Sequence, residues 1–237
     1  TPPVKPRVVV VGSLMMDLVV RAPRLPVIGE SLLSHSFRTS PGGKGGNQAI
    51  AAARLGASVT MIGQVGADRF GEILRERLEA EGVDTRFVSV DPELGTGVAV
   101  PIVLDSGENA ILAVPQANLA LSSLLIERAR DVISSAGMLL VQFEVNMDAT
   151  LAAMRLAEAA KSPILLNPAP VAPYPPGTLE LASVIVANEI EAAALRLYLL
   201  STHYRSPIEY GRDRLEEART ALDRIRNGLA TRSFMLV

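Results

Sequence analysis

The segment Pro41-Gly42-Gly43-Lys44-Gly45-Gly46-Asn47-Gln48 runs straight into the helix-like stretch Ala49–Leu55. Glycines ahead of a helix let a backbone approach a ligand closely and expose amides at a positive helix end. The segment is not the phosphate-cradling G-x-x-x-x-G-K-[ST] loop, because Lys44 precedes the last glycines and no Ser or Thr follows it. Taken alone, such a loop reads more often as a flexible turn at a glycine-rich helix start. Its neighbours change that weighing. Upstream, Gly12-Ser13-Leu14-Met15-Met16-Asp17 leaves an apolar run, which sets Asp17 near a strand's C-terminal end, where open α/β sheets bind ligands. Downstream stand Gly63-Gln64-Val65-Gly66-Ala67-Asp68-Arg69-Phe70-Gly71 and Thr96-Gly97-Val98-Ala99. Gln142-Phe143-Glu144, Asn167-Pro168-Ala169-Pro170 and Asn188-Glu189-Ile190-Glu191 follow. Asn188 and Glu191 stand three positions apart, just under one helical turn, so both side chains can face one ligand. The plainer readings are an N-cap with an exposed acid for that pair, and a helix or turn cap for Asp17.

Short apolar runs position these residues. Val8–Val11, Val59–Ile62, Met138–Val141, Ile164–Leu166 and Val184–Val186 read as buried strands. Helix-like stretches at Asn47–Leu55, Arg69–Ala80, Ser122–Ser135 and Ala149–Lys161 lie between them. Apolar strands alternating with helices predict an α/β fold with a parallel sheet covered on both faces. A second set, Leu18–Val20, Ser31–Arg38, Gly97–Leu104 and Asn109–Val114, predicts a small antiparallel lid, with a hairpin turn at Asp105-Ser106-Gly107-Glu108. Asp68 reads as a helix N-cap. The composition changes near residue 195, and from Glu189 to Met235 the pattern becomes helix, turn, helix, broken at Ser206-Pro207, with alternating charges over Arg214–Arg226 and no strand signal until the short Ser233–Val237 end.

Composition narrows the function classes. Of the 237 residues 49% are hydrophobic but only 4% aromatic, so Val, Leu, Ile and Ala must fill the core. A net charge of −2 offers no attraction to nucleic acid or an anionic membrane, and neither is expected as a partner. The absence of cysteine excludes disulfides, thiolate metal sites and a cysteine nucleophile. No apolar stretch reaches the roughly 18 residues of a membrane span, and Thr1–Arg7 has no signal-peptide core. A cytoplasmic protein is expected.

Across residues 7 to about 195, the order and spacing of these motifs resemble the ribokinase-like (phosphofructokinase B-type) carbohydrate kinases. Asn167-Pro168-Ala169-Pro170 leans toward the ribokinases within that family. The resemblance implies a βα sandwich with a β lid, often shared across a homodimer, and ATP-dependent phosphoryl transfer to ribose or a related sugar with Mg2+. It implies that Asp17 accepts hydrogen bonds from two sugar hydroxyls, which suits an acceptor-only carboxylate. Gly42, Gly43, Lys44 and Gly45 would line the sugar, Asn47 would bond a hydroxyl, and Glu144 would reach its far side. For Glu144 a solvated loop carboxylate is an equal alternative. Asn188 and Asn167 would lie on the nucleotide or phosphate side, with Glu191 reaching Mg2+ through water.

The sequence departs from the family in three places. Met15 stands where ribokinases usually carry a sugar-binding asparagine, and Ala187 replaces the usual proline before Asn188. No Gly-Ala-Gly-Asp segment, the source of the family's catalytic base, follows Glu191. A catalytic residue is therefore not assigned, the family's adenine pocket and monovalent-cation site are expected to be missing, and activity is expected to be impaired. Residues from Leu195 to about 228, around Ser201-Thr202-His203-Tyr204-Arg205-Ser206-Pro207, resemble the helical region of cysteinyl-tRNA synthetase. None of that enzyme's catalytic motifs is present, so aminoacylation is not expected. The expected division is a sugar-binding portion over 1–194, C-terminally truncated, and a helical tail over 195–237. The chimera would be a natural fusion, an engineered one, or a misassembled sequence. Truncation is expected to leave strand Val184–Val186 with an open edge. The alternative to an impaired kinase is a non-catalytic sugar-binding remnant.

Overall fold

The structure is a computed structural model, and it describes residues 5–170, 174–187 and 233–236. The body is a seven-stranded, all-parallel sheet in the order β11-β10-β9-β8-β1-β4-β5. Its strands are β1 (Arg7–Val11), β4 (Ser58–Gly66), β5 (Asp84–Asp91), β8 (Met138–Gln142), β9 (Ile164–Asn167), β10 (Val184–Ala187) and β11 (Ser233–Leu236). Helices α1 (Lys44–Arg54) and α2 (Arg69–Ala80) cover one face, and α3 (Ser123–Arg128), α4 (Arg130–Ser134) and α5 (Met147–Ala159) the other.

Strand alternation divides the core between the two faces. Val9 and Val11 point into the layer with Ile126, Ile133, Leu139, Val141 and Met154. Val10 points the other way, onto Ala49, Met61, Leu74 and Leu78. Ala149, Ala153 and Ala157 recur every four residues on α5 and are all buried, so the helix lies close against the sheet. Phe143 is the sole aromatic buried in either cluster, in line with a core of aliphatic side chains.

The lid is a four-stranded sheet in the order β3-β2-β6-β7, with β2 (Met15–Ala22), β3 (Ser36–Gly42), β6 (Gly97–Leu104) and β7 (Asn109–Val114). The hairpin between β6 and β7 turns at Gly107, whose φ is +88°. The expected antiparallel lid is corrected to a mixed one, since β2 pairs with β6 in parallel. The β2–β3 and β6–β7 hairpins are separated in the chain by α1, β4, α2 and β5. Both hairpins leave the body in the same direction, which forces their first strands parallel.

Other expectations are also corrected. The lid strand expected over Ser31–Arg38 begins at Ser36 and continues through the first glycine of the loop. Strand β5 was not foreseen, because it is an edge strand that mixes buried Thr85 and Val88 with exposed Arg86 and Val90 rather than an apolar run. The helix expected over Ser122–Ser135 is interrupted at Ala129, with Ser122 capping its first half. The edge of β10 is not open, because β11 pairs with it in parallel from Val184↔Ser233 to Ala187↔Leu236. The expected helical tail over 195–237 otherwise lies outside the described residues.

Candidate functional site

From β1 the chain moves outward through β4 and β5, then returns to β8 on the other side of β1 and continues outward from there. The switch point of the sheet therefore lies between the carboxyl ends of β1 and β8, where open α/β sheets hold ligands. Ser13 follows β1 there and Glu144 follows β8. The fully buried Ser13 donates its hydroxyl to Glu144 Oε2 at 2.5 Å.

The glycine segment packs onto this junction. Gly43 is the N-cap of α1 with φ +86°, and a Cβ there would lie 2.8 Å from the Met15 nitrogen. A Cβ on Gly45 would lie 2.7 Å from the Ser13 backbone, and one on Gly42 would fall on the Asp17 carboxylate. The glycines are required because two backbones and a carboxylate occupy the space that side chains would take.

Helix α1 begins at Lys44, three residues before its expected start. Glycine is a poor helix former, yet Gly45 and Gly46 stand in its first turn, held by tertiary contacts. The Lys44 amide donates to Glu144 Oε2 at 3.0 Å, the Gly45 amide to the Ser13 hydroxyl at 3.4 Å, and the Gly46 amide to the Ser13 carbonyl at 3.0 Å. The expectation that these amides lie open to a ligand is thereby corrected. Protein acceptors already hold them, and Glu144 serves as the anion at the positive end of the helix. Lys44 Nζ completes the cluster, 2.6 Å from Glu144 Oε1. Glu144 is a part-buried, triply bonded group and not a solvated loop carboxylate.

Asp17 lies inside β2, opposite Ser40 and Ala99, not at a strand's C-terminal end as expected. It caps no helix or turn. Burial raises its pKa above the ordinary aspartate range, and the nearby Glu144 charge adds to the rise. No donor among the described residues reaches its carboxylate. Asn47 is exposed on α1, one turn after Lys44. Asn167 ends β9, paired in register with Gln142, and its Oδ1 accepts the Ala169 amide at 3.1 Å. Asp17, Gly42, Gly43, Lys44, Gly45 and Glu144 thus form one cluster, with Asn47 on the same helix as Lys44 and Asn167 at the end of β9, the neighbour of the strand that Glu144 follows. Asn188 and Glu191 lie outside the described residues. Among the described residues no His, Asp or Glu cluster could hold a metal, and no helix is long and apolar enough to cross a membrane.

Sequence reading quoted Ser13 and Gln142 without giving either a role. Fully buried, Gln142 donates to Gln48 of α1 at 2.5 Å, which ties β8 to the helix behind the glycine segment. A polar residue within two positions of the end of a buried apolar run was the available signal for both.

A profile of the pfkB family carbohydrate kinases matches residues 5–205. The chain belongs to this family. It is 40% identical to ribokinase of Bacillus subtilis (strain 168) over 186 residues, 78% of this chain and 63% of that protein. It is also 40% identical to Mus musculus ribokinase over 195 residues, 82% of this chain and 60% of that one. Among solved structures, Arabidopsis thaliana ribokinase complexed with ribose and ATP superposes with a TM-score of 0.75 at 27% identity, covering 94% of this chain and 70% of that one. This pfkB chain spans about three fifths of the length of the two curated relatives.

Proposed function

We propose that this chain forms the sugar-binding side of an ATP-dependent kinase for ribose or a related sugar. The observation that carries the reading is the half-buried Asp17 carboxylate, which no donor among the described residues reaches and which feels the charge of Glu144 at the switch point of the sheet. Two adjacent sugar hydroxyls would supply the missing donors. Gly42, Gly43, Lys44 and Gly45 would form one wall, Asn47 would bond a further hydroxyl, and Glu144 would meet the far side of the ring. The names of the relatives support this substrate class: ribokinases, and a deoxyribokinase of Salmonella typhi 36% identical over 163 residues.

ATP would approach from the Asn167 side, with Asn188 toward its phosphates. Mg2+ keeps most of its waters and binds through one or two carboxylates together with phosphate oxygens. Glu191 suits that role by its chemistry. When bound, the ion would neutralise charge developing on the transferred phosphoryl group. None of these residues is assigned the part of taking the proton from the attacking hydroxyl, because no Gly-Ala-Gly-Asp segment follows Glu191 in the sequence. In this chain by itself, sugar binding should therefore outlast turnover, which is also what a non-catalytic sugar-binding remnant would do. The division into a sugar-binding portion over 1–194 and a cysteinyl-tRNA-synthetase-like tail over 195–237 belongs to the same proposal, as does a cytoplasmic setting.

A second copy of the chain is the proposed partner of the lid. Alternation and register set Phe37, Val20, Ile102, Leu112 and Val114 on one face, and Phe37, Leu112 and Val114 are at least half exposed. An apolar sheet face of this kind is the usual mark of an interface.

Calorimetric titration with ribose, run beside an assay of ribose-dependent ADP release with ATP and Mg2+, tests the reading. Saturable binding is expected, weakened about 100-fold or more in Asp17→Ala through loss of charge-assisted hydrogen bonds, with ADP release at background. Binding needs the ionised carboxylate, so acidification should weaken it at a higher pH than an ordinary aspartate would dictate. Absence of ribose binding would sink the sugar reading. Turnover that Asp17→Ala abolishes would sink the claim of impairment.

A further inference from the structure

Asn118 is fully buried and belongs to none of the motifs above. It sits in the short 3-10 turn Gln116–Ala120, by which the chain leaves the lid after β7. Its Oδ1 accepts the Leu14 amide at 2.8 Å, and its Nδ2 donates to the Leu14 carbonyl at 2.9 Å and to the Pro115 carbonyl at 2.9 Å. One side-chain amide thus satisfies both backbone groups of a single residue, as a neighbouring strand would.

Leu14 is the one residue between Ser13, whose hydroxyl holds Glu144, and β2, which carries Asp17. Gly97 opens β6 directly beside Asn118, and a Cβ there would fall on Asn118 Nδ2. Three passages between body and lid therefore meet at this amide: β1 into β2, the entry to β6, and the exit from β7.

We infer that Asn118 is a positioning residue for the sugar site, fixing the lid against the body at Leu14 and so setting the separation of Asp17 from Glu144. The inference rests on the sugar-binding reading above. A role confined to stability would lower the melting temperature and leave the geometry of the two carboxylates unchanged.

Asn118→Ala removes the amide, and Gly97→Ala keeps it but pushes it off Leu14. Ser162→Ala is the control, since it removes a buried hydrogen bond to Ala136 at the opposite edge of the sheet. The full-length proteins are compared by 13C NMR titration of the Asp17 carboxylate and by calorimetry with ribose. In both test variants the Asp17 midpoint should fall toward the ordinary aspartate value, because burial and the Glu144 charge both lose their hold on it. Ribose affinity should drop about tenfold or more, as expected when a binding group is misplaced by a fraction of an ångström. The control should lose melting temperature and change neither readout. An unchanged Asp17 midpoint in the two test variants overturns the inference, as does an equal shift in the control. If the wild-type chain takes up no ribose, the sugar reading fails, and the Asp17 titration alone still decides whether Asn118 sets the joint.

Discussion

Glu144 performs for α1 what a first-turn acid performs in most helices. The helix has no acidic residue in its first turn, and its N-cap, Gly43, has no side chain. The carboxylate arrives instead from the end of β8, 100 residues later in the chain. Ser13 and Lys44 share it, so the group proposed to meet the sugar also holds the helix. At the same scale, Met15 is buried at the start of β2 between Gly42 and Gly97. Its thioether offers a hydroxyl no useful partner. Met15→Asn is expected to tighten ribose binding about fivefold or more, the worth of one net hydrogen bond. Calorimetry on the two proteins checks this, and equal affinities would place position 15 outside the sugar's reach.

Among the elements, α2 is the best tied. Asp68 caps it by accepting the Gly71 amide at 2.9 Å, and the same carboxylate accepts the Thr96 amide and hydroxyl, each at 2.7 Å. Burial alone would raise the Asp68 pKa, but the hydrogen bonds from Thr96 and Gly71 outweigh it and hold the group below the ordinary aspartate range. A carboxylate with a depressed native pKa adds stability above its unfolded pKa, roughly pH 4, and loses it as pH falls through the lower native value. Asp68→Ala should therefore destabilise the neutral protein by about 1–2 kcal/mol, the usual worth of an N-cap, with the Thr96 bonds adding to it. Urea unfolding at neutral and acid pH is the check. The gap between variant and wild type should close on acidification, and a constant gap would mean that the Asp68 charge plays no part.

For the whole molecule, the proposed assembly runs through the lid. If a second copy covers the face bearing Phe37 and Leu112, Leu112→Lys should reduce a concentration-dependent dimer to a monomer in analytical ultracentrifugation, with little change in melting temperature, because Leu112 is 64% exposed. A wild-type chain that sediments as a monomer at every concentration would refute the dimer.

Strand-sized apolar runs were enough to place five of the seven body strands, since a strand buried on both faces must be apolar throughout. Both β6 and β7 were legible for a related reason, as a turn segment with Gly107 separates two apolar runs. Local chemistry also carried the Asp68 cap and the glycine segment. Edge strand β5 was not legible, because charged Asp84, Arg86 and Asp91 are mixed among its buried residues with neither an apolar run nor a clean alternation. The short terminal strand was legible over Ser233–Val237, but its pairing with β10, which joins residues 49 positions apart, Val184 to Ser233, was not. At the site the residue types Asp17, Lys44 and Glu144 were readable from their motifs. That Glu144 caps α1, that Ser13 and Asn118 hold the junction at Leu14, and that the glycines clear space for backbone were decided only by the fold. These contacts join segments 32 to 131 residues apart, and local spacing carries no information about which distant groups a sheet's switch point will bring together.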